Sequence, residues 1–187
     1  TKGIMVNSPS NPTGNILTPD RMKQIASLGI PVISDEIYHG LVYEDDGEHS
    51  ILEFTDNAFV LNGFSKAYAM TGWRIGYALA PKWLAPKVGA VQGHLTSNAC
   101  SIAQWASLGA LKESEADVVR MRQEFSRRRD IMTGLLRKMP HISFPEPQGA
   151  FYVFINVRNT LGGSHGERAI NTDGDFCEAL LETEYVA

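Results

Sequence analysis

Cysteine is nearly absent: Cys100 and Cys177 are the only two in 187 residues. Two thiols so far apart cannot form a disulfide framework, and no metal-ligand spacing surrounds either. They are expected to be reduced thiols in a cytoplasmic protein, packed as small apolar residues. Apolar runs are short, none long enough to span a bilayer, and no secretory signal opens the chain, so a membrane partner is not expected. Excess positive charge is lacking too. The formal net charge is -4, which gives no broad footprint for nucleic acid. The one dense basic run, Arg127, Arg128 and Arg129, falls in a helical pattern and reads as a solvated helix face. Internal repeats and low-complexity tracts are absent. With 43% apolar and 20% charged residues, the composition is that of an ordinary globular chain and argues against disorder.

What is present alternates between strand and helix signals. Gly3 to Asn7 is a short apolar run closed by a Pro/Asn/Gly cluster, which predicts a buried strand followed by a loop. Thr18, Pro19 and Asp20 read as N-cap, first-turn proline and dipole-favoured acid of a helix, with Gly29 closing it. Pro31–Ser34, Phe59–Asn62 and Ile75–Ala80 predict three more buried strands. Near-continuous apolar strands separated by helix indicate an α/β fold, a mostly parallel sheet with helices on both faces. After Pro81 the pattern turns helical. Ala99 to Leu111 is rich in Ala and Ser. Ser114 is expected to cap a long helix with an apolar stripe of Val118, Met121, Phe125, Met132, Leu135, Leu136 and Met139, ended by Pro140. Phe151 to Ile155 reads as β-rich, Gly162 to Gly166 as a flexible loop, and Asp173 to Leu181 as a short helix. A domain boundary is expected near 112–114, with a smaller α+β piece beyond it.

Chemistry-bearing residues gather where open α/β sheets hold ligands, at the ends of strands. The clusters are Pro9–Gly14 (PSNPTG), Ser34–Tyr38 (SDEIY) and Asn62–Tyr77 (NGFSKAYAMTGWRIGY). Singly they read as a turn, a helix cap and a surface lysine. Together and in this order they resemble the class I/II aminotransferases, fold-type I enzymes that use pyridoxal 5'-phosphate, and in particular the aspartate/aromatic branch. Gln148–Tyr152 (QGAFY) resembles the start of the family's small-domain strand. The likeness runs essentially from end to end.

The resemblance implies a part for each residue. Pyridoxal phosphate is an electron sink that needs its ring nitrogen kept protonated by a carboxylate, and Asp35 matches that carboxylate. Lys66 matches the lysine that holds the cofactor through a Schiff base and later shuttles a proton. Asn11 and Tyr38 match the donors to the cofactor's phenolic oxygen. Arg74 matches the arginine that clamps the phosphate. Many relatives carry a hydroxyl residue three positions before the lysine; Gly63 stands there in this chain, which leaves Ser65 as the nearest phosphate donor. Thr96, Ser97 and Asn98 read either as a segment near a subunit interface or as a helix cap.

The resemblance further implies that residues 1–112 belong to the cofactor-binding large domain and 113–187 to the small domain. The expected activity is amino transfer between an L-amino acid, aspartate or aromatic favoured, and a 2-oxo acid, in a homodimer. Both ends read as cut from a longer chain, so the isolated polypeptide is expected to bind cofactor poorly. A pyridoxal phosphate lyase of the same fold, or the effector domain of an aminotransferase-like transcription regulator, are the alternatives.

Overall fold

The structure, a computed structural model, describes residues 1–43 and 47–186. Four strands, β1 (Ile4–Asn7), β2 (Val32–Asp35), β3 (Ala58–Gly63) and β4 (Gly76–Leu79), form one sheet in the order β1-β2-β3-β4. The first three run parallel, with Asn7 beside Asp35 and Asp35 beside Leu61; β4 runs antiparallel to β3. The sheet is therefore mostly parallel, as the apolar runs predict.

Helix α1 (Pro19–Ser27) makes the crossover from β1 to β2. The Thr18 side chain accepts from the Arg21 amide at its start, and Gly29 follows its end in the left-handed region at φ 66. One sheet face buries Val32, Ala58 and Val60 against Met22 of α1 and Ile51 of a short 3-10 turn, with Val6, Leu17, Ile25 and Phe54 around them. Met22 and Ile51 are almost wholly buried; each removes a side chain from water for roughly 2 kcal/mol. On the other face α2 (Ala85–Thr96) and the turn before it bring Val88, Trp83 and Leu84 toward Ile33 and Phe59, leaving a groove of about 280 Å³ between them. Where β3 meets β4 the backbones nearly touch. A Cβ on Gly63 would come 2.9 Å from the Gly76 Cα, so this close pairing has no room for a larger residue at 63.

Helices α3 (Ser101–Glu113) and α4 (Glu115–Leu136) follow, then the hairpin β5 (Gly163–His165) and β6 (Arg168–Ile170), and α5 (Asp173–Glu184). Several expectations need correction here. Ser114 occupies the N-cap position of α4, but its side chain makes no capping hydrogen bond. The α4 stripe is only partly used: Phe125 stacks on Phe151 and Leu136 is buried, while Met132, Leu135 and Met139 stay about half exposed. Phe151 packs on Phe125 and Gly40 lies against Val118, which leaves the end of the stripe open. Phe151 to Ile155 is not a strand. Only isolated bridges flank it, Val42 with Gly149 and Ser143 with Asn156, because β propensity needs a partner strand to express it. The Gly162–Gly166 loop is instead half of a hairpin. Its two-residue turn starts at Gly166 with φ 58, the positive φ such turns demand.

Cys100 and Cys177 are exposed rather than packed inside. Arg127 and Arg128 are solvated as expected, but Arg129 is largely covered: it lies 4.9 Å from the Tyr43 ring centre and donates to the Pro147 carbonyl. Among the described residues no helix is long and apolar enough to cross a membrane.

Candidate active site at the carboxyl edge of the sheet

The carboxyl ends of β1, β2 and β3 and the start of antiparallel β4 lie along one edge. Asn11, Tyr38, Lys66 and Arg74 each fall within four residues of a strand end at that edge, and Asp35 is the last residue of β2. Backbone polarity thus gathers residues far apart in sequence.

Asp35 is tied down from both neighbouring strands. Its carbonyl accepts from the Ser8 amide at 3.1 Å and from Asn7 Nδ2 at 3.0 Å, and the next amide, of Glu36, donates to Leu61 at 2.8 Å. Its carboxylate accepts from the Ile37 amide through Oδ1 at 3.2 Å; Oδ2 has no hydrogen bond among the described residues. Asn7 also positions Asn11, because its Oδ1 accepts from the Asn11 amide at 2.6 Å.

Tyr38 is buried, and its hydroxyl lies 2.6 Å from the hydroxyl of Tyr152. Asn11 Nδ2 donates to both oxygens at 3.5 Å. Burial pushes the Tyr38 phenol well above the usual phenol range, and the Tyr152 hydrogen bond adds to it. Phe151 stands edge-on to Tyr38 with centroids 5.5 Å apart. The half-buried Lys66 reaches into this aromatic corner: its Nζ is 5.7 Å from the Tyr38 ring centre and 5.5 Å from that of Phe151. Among the described residues no carboxylate comes within ion-pair distance of Lys66.

The loop from Phe64 to Arg74 closes on itself. Met70 N–H donates to Phe64, Ala69 N–H to Lys66, Thr71 Oγ1 to the Ser65 carbonyl at 2.9 Å, and Arg74 Nη1 to the Thr71 carbonyl at 2.9 Å. Arg74 adopts a left-handed conformation, φ 50 and ψ 49, a strain held by this loop. Its guanidinium is exposed and opens on a cavity of about 770 Å³ that Trp73, Gln92, Asn98 and Cys100 also line. No hydrogen bond or ion pair links Arg74 to Lys66 or Asp35 among the described residues. The Ser65 hydroxyl likewise has no partner there. Thr96 is the last residue of α2 and Ser97 follows it at φ 60.

The profile of the aminotransferase class I and II family matches residues 1–187, the whole chain. The chain belongs to that family. It is 39% identical to a probable aspartate/prephenate aminotransferase of Rhizobium leguminosarum bv. phaseoli and to an aspartate aminotransferase of Geobacillus stearothermophilus, in each case over 100% of this chain and 49% of the relative. The chain spans about half the length of the curated relatives it matches. The structure superposes on an aspartate aminotransferase from Rhizobium meliloti with TM-score 0.90 at 33% identity, covering 100% of this chain and 49% of that one. An aromatic aminotransferase from Pyrococcus horikoshii gives TM-score 0.89 at 35% identity, covering 100% of this chain and 50% of that one. The fold is thus the fold-type I aminotransferase fold.

The donor set suits the family's cofactor. Among the described residues, a lysine without a carboxylate partner, a carboxylate with one oxygen unengaged, paired phenol and amide donors, a hydroxyl without a partner and an exposed guanidinium that spends one nitrogen on the Thr71 carbonyl supply complementary groups for an aldehyde, a ring nitrogen, a phenolic oxygen and a phosphate. Sequence reasoning missed four residues of this edge: Asn7, Thr71, Phe151 and Tyr152. Tyr152 and Phe151 stood in a motif read as strand. Their place beside Tyr38 depends on a fold-back that no local pattern announces.

Proposed function

We propose that this chain carries the cofactor-holding site of a pyridoxal phosphate-dependent aminotransferase, acting between an L-amino acid, aspartate or aromatic favoured, and a 2-oxo acid. The observation that carries the reading is the Lys66 ammonium, half buried over Tyr38 and Phe151 with no carboxylate beside it among the described residues. A structural lysine in an aromatic corner of a protein is ordinarily ion-paired or snorkels to water.

Lys66 Nζ would hold the cofactor covalently and move a proton to and from the substrate's Cα. Asp35 Oδ2, the unengaged oxygen, would keep a proton on the ring nitrogen. Asn11 and Tyr38 would donate to the phenolic oxygen, and Ser65 and Arg74 to the phosphate. Bound there, pyridoxal phosphate supplies an electron sink for negative charge at the substrate's Cα. Residues 1–112 form the large-domain part in this reading and 113–187 the small-domain part. A homodimer belongs to it as well, supported by exposed Leu95, Ile102 and Trp105 on α2 and α3. So does a cytoplasmic setting, which the two exposed, unpaired thiols fit.

Borohydride reduction in the presence of pyridoxal phosphate tests the assignment. The cofactor's mass should become fixed to the peptide containing Lys66, and Lys66→Ala should abolish the adduct. The name aspartate aminotransferase carried by relatives makes aspartate with 2-oxoglutarate the first pair to assay. Reduction that labels surface lysines equally in both proteins would sink the reading.

A further inference from the structure

The hydroxyl oxygens of Tyr38 and Tyr152 lie 2.6 Å apart, as short as the Asn7–Asn11 bond in the candidate site. Two hydroxyls at that distance hold one proton between them; the other proton is turned elsewhere. Asn11 Nδ2 can only donate, and it lies 3.5 Å from each oxygen. If Tyr38 gives its proton to Tyr152, it has none left for a bound ligand. If Tyr38 accepts from Tyr152 and Asn11, both its lone pairs are used and its own proton points outward.

Tyr152 is well placed to impose the second arrangement. The Gln148 and Gly149 amides both donate to the Gly14 carbonyl at 2.9 Å, and the Ala150 amide donates to Leu41 at 2.9 Å. A Cβ on Gly149 would come 2.9 Å from Pro9. The segment leading into Tyr152 is thus threaded between the loops after β1 and β2, and its ring meets Tyr38 edge-on at 5.7 Å. Burial keeps Tyr38 protonated far above neutral pH, as a donor requires.

We propose that Tyr152 is a positioning residue whose hydroxyl donates to Tyr38 and aims the Tyr38 proton at the cofactor's phenolic oxygen. The inference rests on the aminotransferase reading and adds a residue to that site. A hydroxyl that accepts one hydrogen bond donates a stronger second one. A stronger donor onto the phenolic oxygen stabilises its negative form and so holds the lysine–cofactor linkage unprotonated to lower pH.

The test has two arms, each run on the 187-residue protein. In cofactor-free protein with ¹³Cζ-labelled tyrosine, the Tyr38 resonance should move in Tyr152→Phe, which keeps the ring and its packing. In cofactor-loaded protein, the pH midpoint of the bound-cofactor absorbance change should rise by about one pH unit in Tyr152→Phe. Tyr38→Phe should raise it further, and the double variant should match Tyr38→Phe alone, because Tyr152 acts only through Tyr38. An unchanged midpoint in Tyr152→Phe overturns the proposal, and so does a double variant in which the two shifts add. Where the isolated chain takes up too little cofactor to titrate, the resonance arm judges alone, and an unmoved Tyr38 resonance in Tyr152→Phe overturns the proposal.

Discussion

Asp35 meets the rest of the protein mainly through its backbone, and its carboxylate keeps one short local hydrogen bond, to the Ile37 amide. Removing that bond costs the fold only about 1 kcal/mol, whereas the proposed chemistry depends on the charge. Asp35→Ala should therefore lower amino transfer at least ~100-fold while far-UV circular dichroism stays unchanged; equal losses in both would mean the carboxylate is structural. Tyr43 makes a second residue-scale case. Burial pushes its phenol up to about 12, with the Arg129 charge pulling the other way, and its hydroxyl donates to the Ala150 carbonyl. A raised folded pKa contributes stability that is complete below the unfolded value near 10 and lost as pH rises toward 12. With partial exposure discounted, the loss is about 1–2 kcal/mol. Urea midpoints at pH 9 and pH 11 should differ less in Tyr43→Phe than in wild type. The placing of Lys66, Asp35, Asn11 and Tyr38 at strand ends was legible in the apolar runs that precede them, and their proposed roles came from the resemblance of the three motifs taken together. The place of Tyr152 was not legible, because its partner lies 114 residues away and only the fold-back brings them together.

At the scale of elements, the turn after β2 owes its shape to Glu36. This carboxylate is 2% exposed. Its Oε1 accepts from Ser34 Oγ at 2.9 Å, Ser50 Oγ at 3.2 Å and the Ile51 amide at 3.0 Å, and Oε2 faces His39 Nδ1 at 3.6 Å. Burying a carboxylate is costly unless donors surround it, and here they join β2 to the 3-10 turn of Ile51–Glu53. Glu36→Ala strands those donors and should destabilise the fold by roughly 2–4 kcal/mol. Glu36→Gln keeps an acceptor and should cost less, as denaturant midpoints will report. Strand and helix order were readable because strand polarity and capping residues, Thr18 above all, are local signals. The β5–β6 hairpin was not, since Gly163, Ser164 and His165 have little strand propensity and pairing rests on the turn at Gly166. Phe151–Ile155 erred the other way: strong propensity without a neighbouring strand.

For the molecule as a whole, surface area is the telling quantity. The accessible surface is 12367 Å² for 20.6 kDa, whereas a folded monomer of that mass exposes about 8,900 Å². The excess, about 3,500 Å² on a single chain, is more than one side of an ordinary obligate interface buries. Much of it is apolar: Trp83, Leu95, Ile102 and Trp105 are all more than half exposed. The chain should self-associate at micromolar concentration in sedimentation velocity, and the double variant Ile102→Lys with Trp105→Lys should shift it toward monomer. A wild type that sediments as a monomer would show that self-association does not cover that surface. The threading of Gly149 between Pro9 and Leu41 has a consequence during synthesis. A ribosome releases Asp35 and Lys66 long before Tyr152, so the nascent chain carries lysine and carboxylate in an unroofed pocket. The aromatic wall arrives later, and in the proposed site a cofactor met before then would find no Phe151 or Tyr152 beside it.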